Sequence, residues 1–181
     1  MLEIREICKS DKKRLEYIVV ETATGIYKNK PDVTKLLFCD YYVDNGIGYC
    51  LINNDEVVGY ILCSEDYKKY ISIFKKKYLP LIKKIDKKEY YNKKMELLFD
   101  RLAGRKYPAH LHIDILEDFC GNGNGTKLII TLINHLKKDN IKGVWLGVDK
   151  SNKRAISFYN KMGFKSTVFG RLFGIYKKRL K

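Results

Sequence analysis

The chain has 181 residues, enough for one domain with a sizeable core, and 45% of them are hydrophobic, which excludes a disordered chain. The formal net charge of +15 comes almost entirely from Lys spread along helix-like stretches. No nucleic-acid motif accompanies it, so nucleic acid is not the expected partner. No apolar run is long enough to span a bilayer, and the first residues hold acids rather than a secretory signal. Five unclustered Cys fit reduced thiols in a cytoplasm better than a disulfide framework or a zinc site.

Taken in order, Leu2 to Ile7 alternates as a strand. Ser10 or Asp11 caps a helix whose buried stripe is Leu15, Ile18, Val19 and Thr22, ended by Gly25. Pro31 and Asp32 open a second helix, with Val33, Leu36, Leu37 and Tyr41 on one face, closed by Asp44-Asn45-Gly46. Gly48 to Ile52 and Val57 to Cys63 flank the turn Asn53 to Glu56 and read as a β-hairpin. Asp66 to Gly104 is a Lys-rich helical insertion. Its aromatic and aliphatic stripe runs from Tyr67 to Ile85 across Pro80, which should kink or split the helix. A further helix carries Tyr91, Met95, Leu98 and Leu102 on one side. The insertion reads first as a solvated Lys face over an aromatic core, and second as a lid over an acceptor site.

His110 to Lys127 organises the rest. Leu111, Ile113 and Ile115 alternate with His110, His112 and Asp114, the signature of a strand. Gly121-Asn122-Gly123-Asn124-Gly125 cannot continue it, because Gly and Asn accept positive φ and expose backbone N–H groups. Leu128, Ile129, Leu132, Ile133 and Leu136 then take helical spacing. A loop of free N–H groups at a helix N-terminus is an anion site. Gly143 to Val148 is a second strand, and strand, helix, strand makes the two strands parallel neighbours. Ser151 or Asn152 caps a helix with Ala155, Phe158, Tyr159 and Met162 facing inward, stopped by Gly163. Phe164 to Phe169 and Leu172 to Lys177 are the last two strands. The whole reads as a single α/β or α+β domain with a mixed sheet.

The loop fails both common phosphate registers. Neither Gly121-x-Gly123 nor Gly123-x-Gly125 is completed to G-x-G-x-x-G, and Gly125-Thr126-Lys127 does not match the P-loop G-K-S/T. It does resemble the pyrophosphate loop of the GNAT superfamily of N-acetyltransferases, whose pattern is Gln/Arg-x-x-Gly-x-Gly/Ala. Here the pattern falls on Cys120 to Gly125, with Cys120 in place of Gln or Arg. Asn152 to Phe164 is similar to the family's Asn-x-x-Ala-x-x-Phe-Tyr-x-x-x-Gly-Phe, with every named position matched. The Pro108 to Leu116 strand and the inserted helices resemble, more loosely, the group that includes the acetyltransferase-like domain of O-GlcNAc hydrolases.

The resemblance implies a central, mostly antiparallel sheet of about seven strands, splayed at one parallel pair and flanked by helices. It implies acetyl-CoA as cosubstrate, with the pantetheine arm on the backbone near Ile115 and Leu116. The pyrophosphate would lie on the N–H groups of Gly121, Asn122, Gly123, Asn124, Gly125 and Thr126, with Asn152 and Phe158 beside the arm. It implies Tyr159 as the acid for the leaving thiolate. Asp114 and His112 share one strand face and are both candidates for the base, and a water relay to a more distant Glu is a third possibility. No tight His/Asp/Glu cluster suggests a catalytic metal. The expected partner is a small-molecule or peptide amine, and a homodimer is possible. A catalytically silent CoA-binding module is the alternative function.

Overall fold

The computed structural model describes residues 2–166 and 174–180, apart from the side chains of 101–104. An edge strand, β1 (Leu2–Glu6), pairs antiparallel with β2 (Ile47–Asn53), which pairs with β3 (Glu56–Ser64). Asn54 and Asp55 join β2 to β3 with φ of 46° and 65°. That left-handed pair matches the twist of a tight hairpin. Between β1 and β2 lie α1 (Lys12–Glu21), α2 (Pro31–Phe38) and α3 (Asp40–Asn45). The single helix expected from Pro31 onward is therefore two. The break is at Cys39, with φ −125° and ψ −63°. It reorients the chain so that Tyr41, Tyr42 and Val43 all enter the core, which one continuous stripe shared with Val33 and Leu37 could not achieve.

The insertion opens on Asp66, whose carboxylate caps α4 (Tyr67–Ile73) by accepting from the N–H groups of Lys68 and Lys69. A π-turn, Phe74–Tyr78, leads into α5 (Leu79–Ile85). Pro80 therefore does not split the helix. The widened turn, with Leu79 N–H reaching the Phe74 carbonyl, absorbs the donor that Pro80 lacks. Next comes α6 (Lys87–Gly104). Its expected stripe is corrected: Tyr91, Met95 and Leu98 are exposed, and Glu89, Lys93, Leu97 and Asp100 are buried. Leu102 is among the side chains left aside.

β4 (Ala109–Ile115) pairs antiparallel with β3. The glycine loop follows, then α7 (Asn124–Lys138) and β5 (Gly143–Gly147). Leu128, Ile129, Leu132, Ile133 and Leu136 of α7 are all buried, each stabilising by roughly 2 kcal/mol. Asn152 caps α8 (Lys153–Lys161) by accepting from Ala155 N–H at 2.9 Å. β6 (Lys165–Ser166) and β7 (Ile175–Arg179) pair antiparallel. Of the two strands expected at the end, Phe164 and Gly174 lie outside β6 and β7, and 167–169 and 172–173 lie outside the described residues.

These strands form one sheet in the order β1-β2-β3-β4-β5-β7-β6, antiparallel except at β4–β5. One core lies between the sheet and α1 to α6, holding Leu15, Tyr41, Tyr60, Leu62, Phe74 and Trp145. The other lies under α7 and α8, holding Ile61, Leu111, Leu128, Leu132, Leu146 and Tyr159. The period-two alternation of the strands sorts these side chains to opposite faces.

Candidate active site

The parallel pairing of β4 and β5 is short. It joins only Ala109 to Val144 and His110 to Trp145. Beyond His110, β4 stays on β3, with Ile113 opposite Ile61 and Ile115 opposite Gly59, and its β5 side is left open. A cavity of about 900 Å³ occupies this divergence. It is lined from one face of the sheet by His110, His112 and Asp114, and from the other by Val148, Asn152, Ala155 and Tyr159.

Asp114 stands directly opposite Tyr60 across β3–β4, and the Tyr60 hydroxyl donates to Asp114 Oδ2 at 2.6 Å. Burial raises the Asp114 pKa, against the hydrogen bonds it accepts from Tyr60 and Thr22. Tyr159 is 8% exposed. Burial first, and then the charge of Asp114, push its phenol above the usual range, so it keeps its proton at neutral pH. The two groups belong to opposite faces of the sheet and feel each other through the gap. His112 packs against the rings of Phe38 and Tyr42, with centroids at 5.1 and 5.0 Å. Burial and the Lys93 charge push it down to about 3, so its ring is neutral. His110 is held more deeply, its Nε2 2.6 Å from the Tyr42 hydroxyl and its ring stacked on Trp145.

The glycine loop follows β4, and none of Gly121 to Thr126 lines this cavity. Gly121, Asn122 and Gly123 all take positive φ, at 86°, 45° and 77°. A Cβ on Gly121 or Gly123 would meet nothing within 4 Å, so this face of the loop is open. Among the described residues, the N–H groups of Gly121, Asn122, Gly123, Gly125 and Thr126 find no carbonyl partner. Five donors converging at the start of a 15-residue helix fit a polyanionic phosphate arm.

Several expected contacts are placed differently. The Asn124 N–H is bonded to Gly121 O and its side chain to Phe119 O, with only 1% exposure, so Asn124 knits the loop together. Leu116 N–H donates to Val58 O, and its carbonyl accepts from Phe119 N–H. That N–H is not free for a pantetheine arm. Cys120 Sγ sits 3.4 Å from Ile115 O, and burial raises its pKa, so it brings no charge to the loop. Asn152 lines the cavity, although its Oδ1 is used as the helix cap. Phe158 packs behind the loop, where a Cβ on Gly125 would come 3.2 Å from its ring. Glycine is what allows that approach.

One cluster went unanticipated by the sequence reading. Ligand atoms of Glu65, His135 and Asp139 lie within 4.8 Å of one another, with His135 Nδ1 2.6 Å from the Tyr49 hydroxyl. None of the three lines the cavity. The cavity wall over β4 was also only partly legible. Asn92, Lys93, Glu96, Phe99 and Asp100 of α6 close the cavity over β4. Met95, from the expected apolar stripe, lines the cavity beside them, so the wall draws on polar and apolar positions of the helix together.

Residues 13–164 match the model of the acetyltransferase (GNAT) family. The chain therefore belongs to the acetyltransferase (GNAT) family, a class of acyltransferases that use acetyl-CoA. The crystal structure of a protein named SsHAT is similar, with TM-score 0.81 and 26% identity over 99% of this chain and 98% of that one. The PaiA N-acetyltransferase of Thermoplasma acidophilum, solved in complex with coenzyme A, shares the fold at TM-score 0.64. Its identity is 15%, over 99% of both chains. An N-acetyltransferase from Staphylococcus aureus Mu50 does so at TM-score 0.61 and 17% identity, over 100% of this chain and 99% of that one.

Proposed function

We propose that the protein is an N-acetyltransferase that moves the acetyl group of acetyl-CoA directly to a primary amine. One observation carries the reading: the β4–β5 divergence opens the sheet, and Asp114 and Tyr159 line the opening from opposite faces. The loop donors and the family membership supply the cosubstrate. Acetyl-CoA, when bound, supplies the activated thioester. Asp114 takes the proton from the acceptor amine. A raised carboxylate is a stronger base than an exposed one, and it does not need to become a buried cation to act. His112 meets the same need badly, because a ring pushed down to about 3 holds a proton weakly. We therefore assign the base to Asp114 and give His112 a place in the wall. Tyr159, protonated and buried, gives its proton to the departing sulfur. The narrower likeness, to the acetyltransferase-like domain of O-GlcNAc hydrolases, rests on the strand from Pro108 to Leu116 and the inserted helices.

CoA release from acetyl-CoA in the presence of an amine panel tests the activity. Tyr159→Phe and Asp114→Asn should each lower kcat by about a hundredfold or more while leaving acetyl-CoA affinity nearly unchanged. Wild-type turnover no faster than thioester hydrolysis with every amine, despite bound acetyl-CoA, would leave a silent CoA-binding module as the better account.

A further inference from the structure

The α6 helix is turned inside out. Its buried face carries Glu89, Lys93, Leu97 and Asp100, at 1%, 6%, 1% and 6% exposure, while Tyr91, Met95 and Leu98 are more than half exposed. Burying charged groups costs free energy that burying Tyr, Met and Leu would have gained, so packing alone does not select this orientation. Lys93, Glu96 and Asp100 all line the cavity. Lys93 Nζ pairs with Glu96 Oε1 at 2.7 Å, and Glu89 is matched separately by Lys30 at 2.8 Å. One ammonium in the cavity wall thus faces two carboxylates.

A second observation comes from polar atoms with nothing to bond. Among the described residues, Tyr67 Oη, Tyr70 Oη and His110 Nδ1, of cavity-lining side chains 2%, 1% and 5% exposed, have no hydrogen-bond partner within bonding geometry, and Tyr70 lies beside Lys93. Folded proteins rarely leave such groups unpaired. Tyr67 lies beside Asp100 without closing a hydrogen bond to it. The rings of Tyr67 and Tyr70 pack on His110 at 5.2 and 4.4 Å, which places all of these groups at the same end of β4.

We propose that this end of the cavity is a subsite for a second ammonium on the acceptor, so that the acceptor is a diamine or polyamine. Asp100 supplies the opposing charge, and the Tyr67 and Tyr70 hydroxyls accept from the ammonium N–H groups. β4 sets the span: His110 and Asp114 are four residues apart, roughly 13 Å along an extended strand. The proposal rests on the acetyl-transfer reading above, with Asp114 at the reacting end.

Burial and the neighbouring Glu96 push the Asp100 carboxyl up to about 7, against the Lys93 charge. Lys93 and Glu96 of α6, Tyr67 and Tyr70 of α4, and His110 of β4 are the titratable groups facing it. A bound ammonium replaces that proton, so selectivity for a second charge should rise with pH through neutrality.

The test compares α,ω-diamines with n-alkylamines of equal length, at about pH 6 and about pH 8. Turnover is read by CoA release, and binding by calorimetry on CoA-saturated protein. Diamines should be preferred by roughly tenfold or more at the higher pH, the range of a charge-assisted contact. The preference should increase with chain length, shrink at the lower pH, and collapse toward one in Asp100→Asn. Equal use of both series at both pH values by the wild type would overturn the subsite while leaving acetyl transfer standing. Diamine-selective binding without turnover would support the subsite and overturn the transfer reading.

Discussion

Asp114 and His112 sit two residues apart on one strand face and read alike in the sequence, yet their surroundings separate them. Asp114 receives a hydroxyl from Tyr60, 54 residues away. His112 is enclosed by Phe38 and Tyr42 and lies near the Lys93 charge. No local pattern contains those partners, which is why the strand was legible and the choice of base was not. With Asp114 as base, kcat/KM should fall as pH drops through its raised pKa, because the protonated carboxyl cannot accept the amine proton. Asp114→Asn should abolish that limb. Cys120 stands where the family pattern has Gln or Arg. Arg154 reaches across to the loop, donating to Glu117 Oε1 at 2.8 Å, and lies near Cys120. We propose that Arg154, paired here with Glu117, replaces the missing contact. Arg154→Ala should raise the acetyl-CoA KM by about two- to fivefold, the scale of an exposed charge, without changing kcat. An unchanged KM would remove Arg154 from the loop's work.

At the scale of elements, what was written locally was readable. α7 and α8 announce themselves through apolar spacing, the glycines before one and the Asn152 cap before the other. The insertion was harder. Of its Tyr67-to-Ile85 stripe, Tyr67, Tyr70, Phe74, Tyr78 and Ile82 join the aromatic core with Tyr41 and Tyr42, whereas Leu81 and Ile85 are exposed. α6 departs from the rule that the apolar face turns inward, with Glu89, Lys93 and Asp100 buried and Tyr91, Met95 and Leu98 exposed. Asp44 is one of several polar ties between the insertion and the rest, beside Lys30 with Asp86 and Glu89. It accepts from Lys12 at 3.0 Å, Lys77 at 3.1 Å and the Tyr78 hydroxyl at 2.7 Å. Burial works against the carboxylate, but these three contacts outweigh it and hold the pKa at about 2. A depressed carboxyl adds stability above its unfolded pKa and loses it as pH falls through the folded value. Asp44→Asn should therefore lower Tm by a few degrees at neutral pH and by much less near pH 2. An equal loss at both pH values would show that the side chain acts through shape rather than charge.

In the whole molecule, a mostly antiparallel sheet is interrupted at one place, and the candidate chemistry lies at that place. A strand–helix–strand unit makes β4 and β5 parallel, as the sequence order required. How early they part is a property of the assembled sheet, because β4 follows β3 while β5 follows β7. The cavity at the parting is lined by the buried Tyr159, by Asp114 and by side chains of α6. Among the described residues no helix is long and apolar enough to cross a membrane. The central claim is that the reacting sulfur lies in this opening, between Tyr159 and Asp114. A crystal structure of the CoA complex tests it most directly. The account predicts the pyrophosphate on the N–H groups of Gly121, Asn122, Gly123, Gly125 and Thr126 and the sulfur within hydrogen-bonding reach of Tyr159 Oη, in the gap beyond His110. A sulfur found outside that gap, with Tyr159 still buried away from it, would contradict the account.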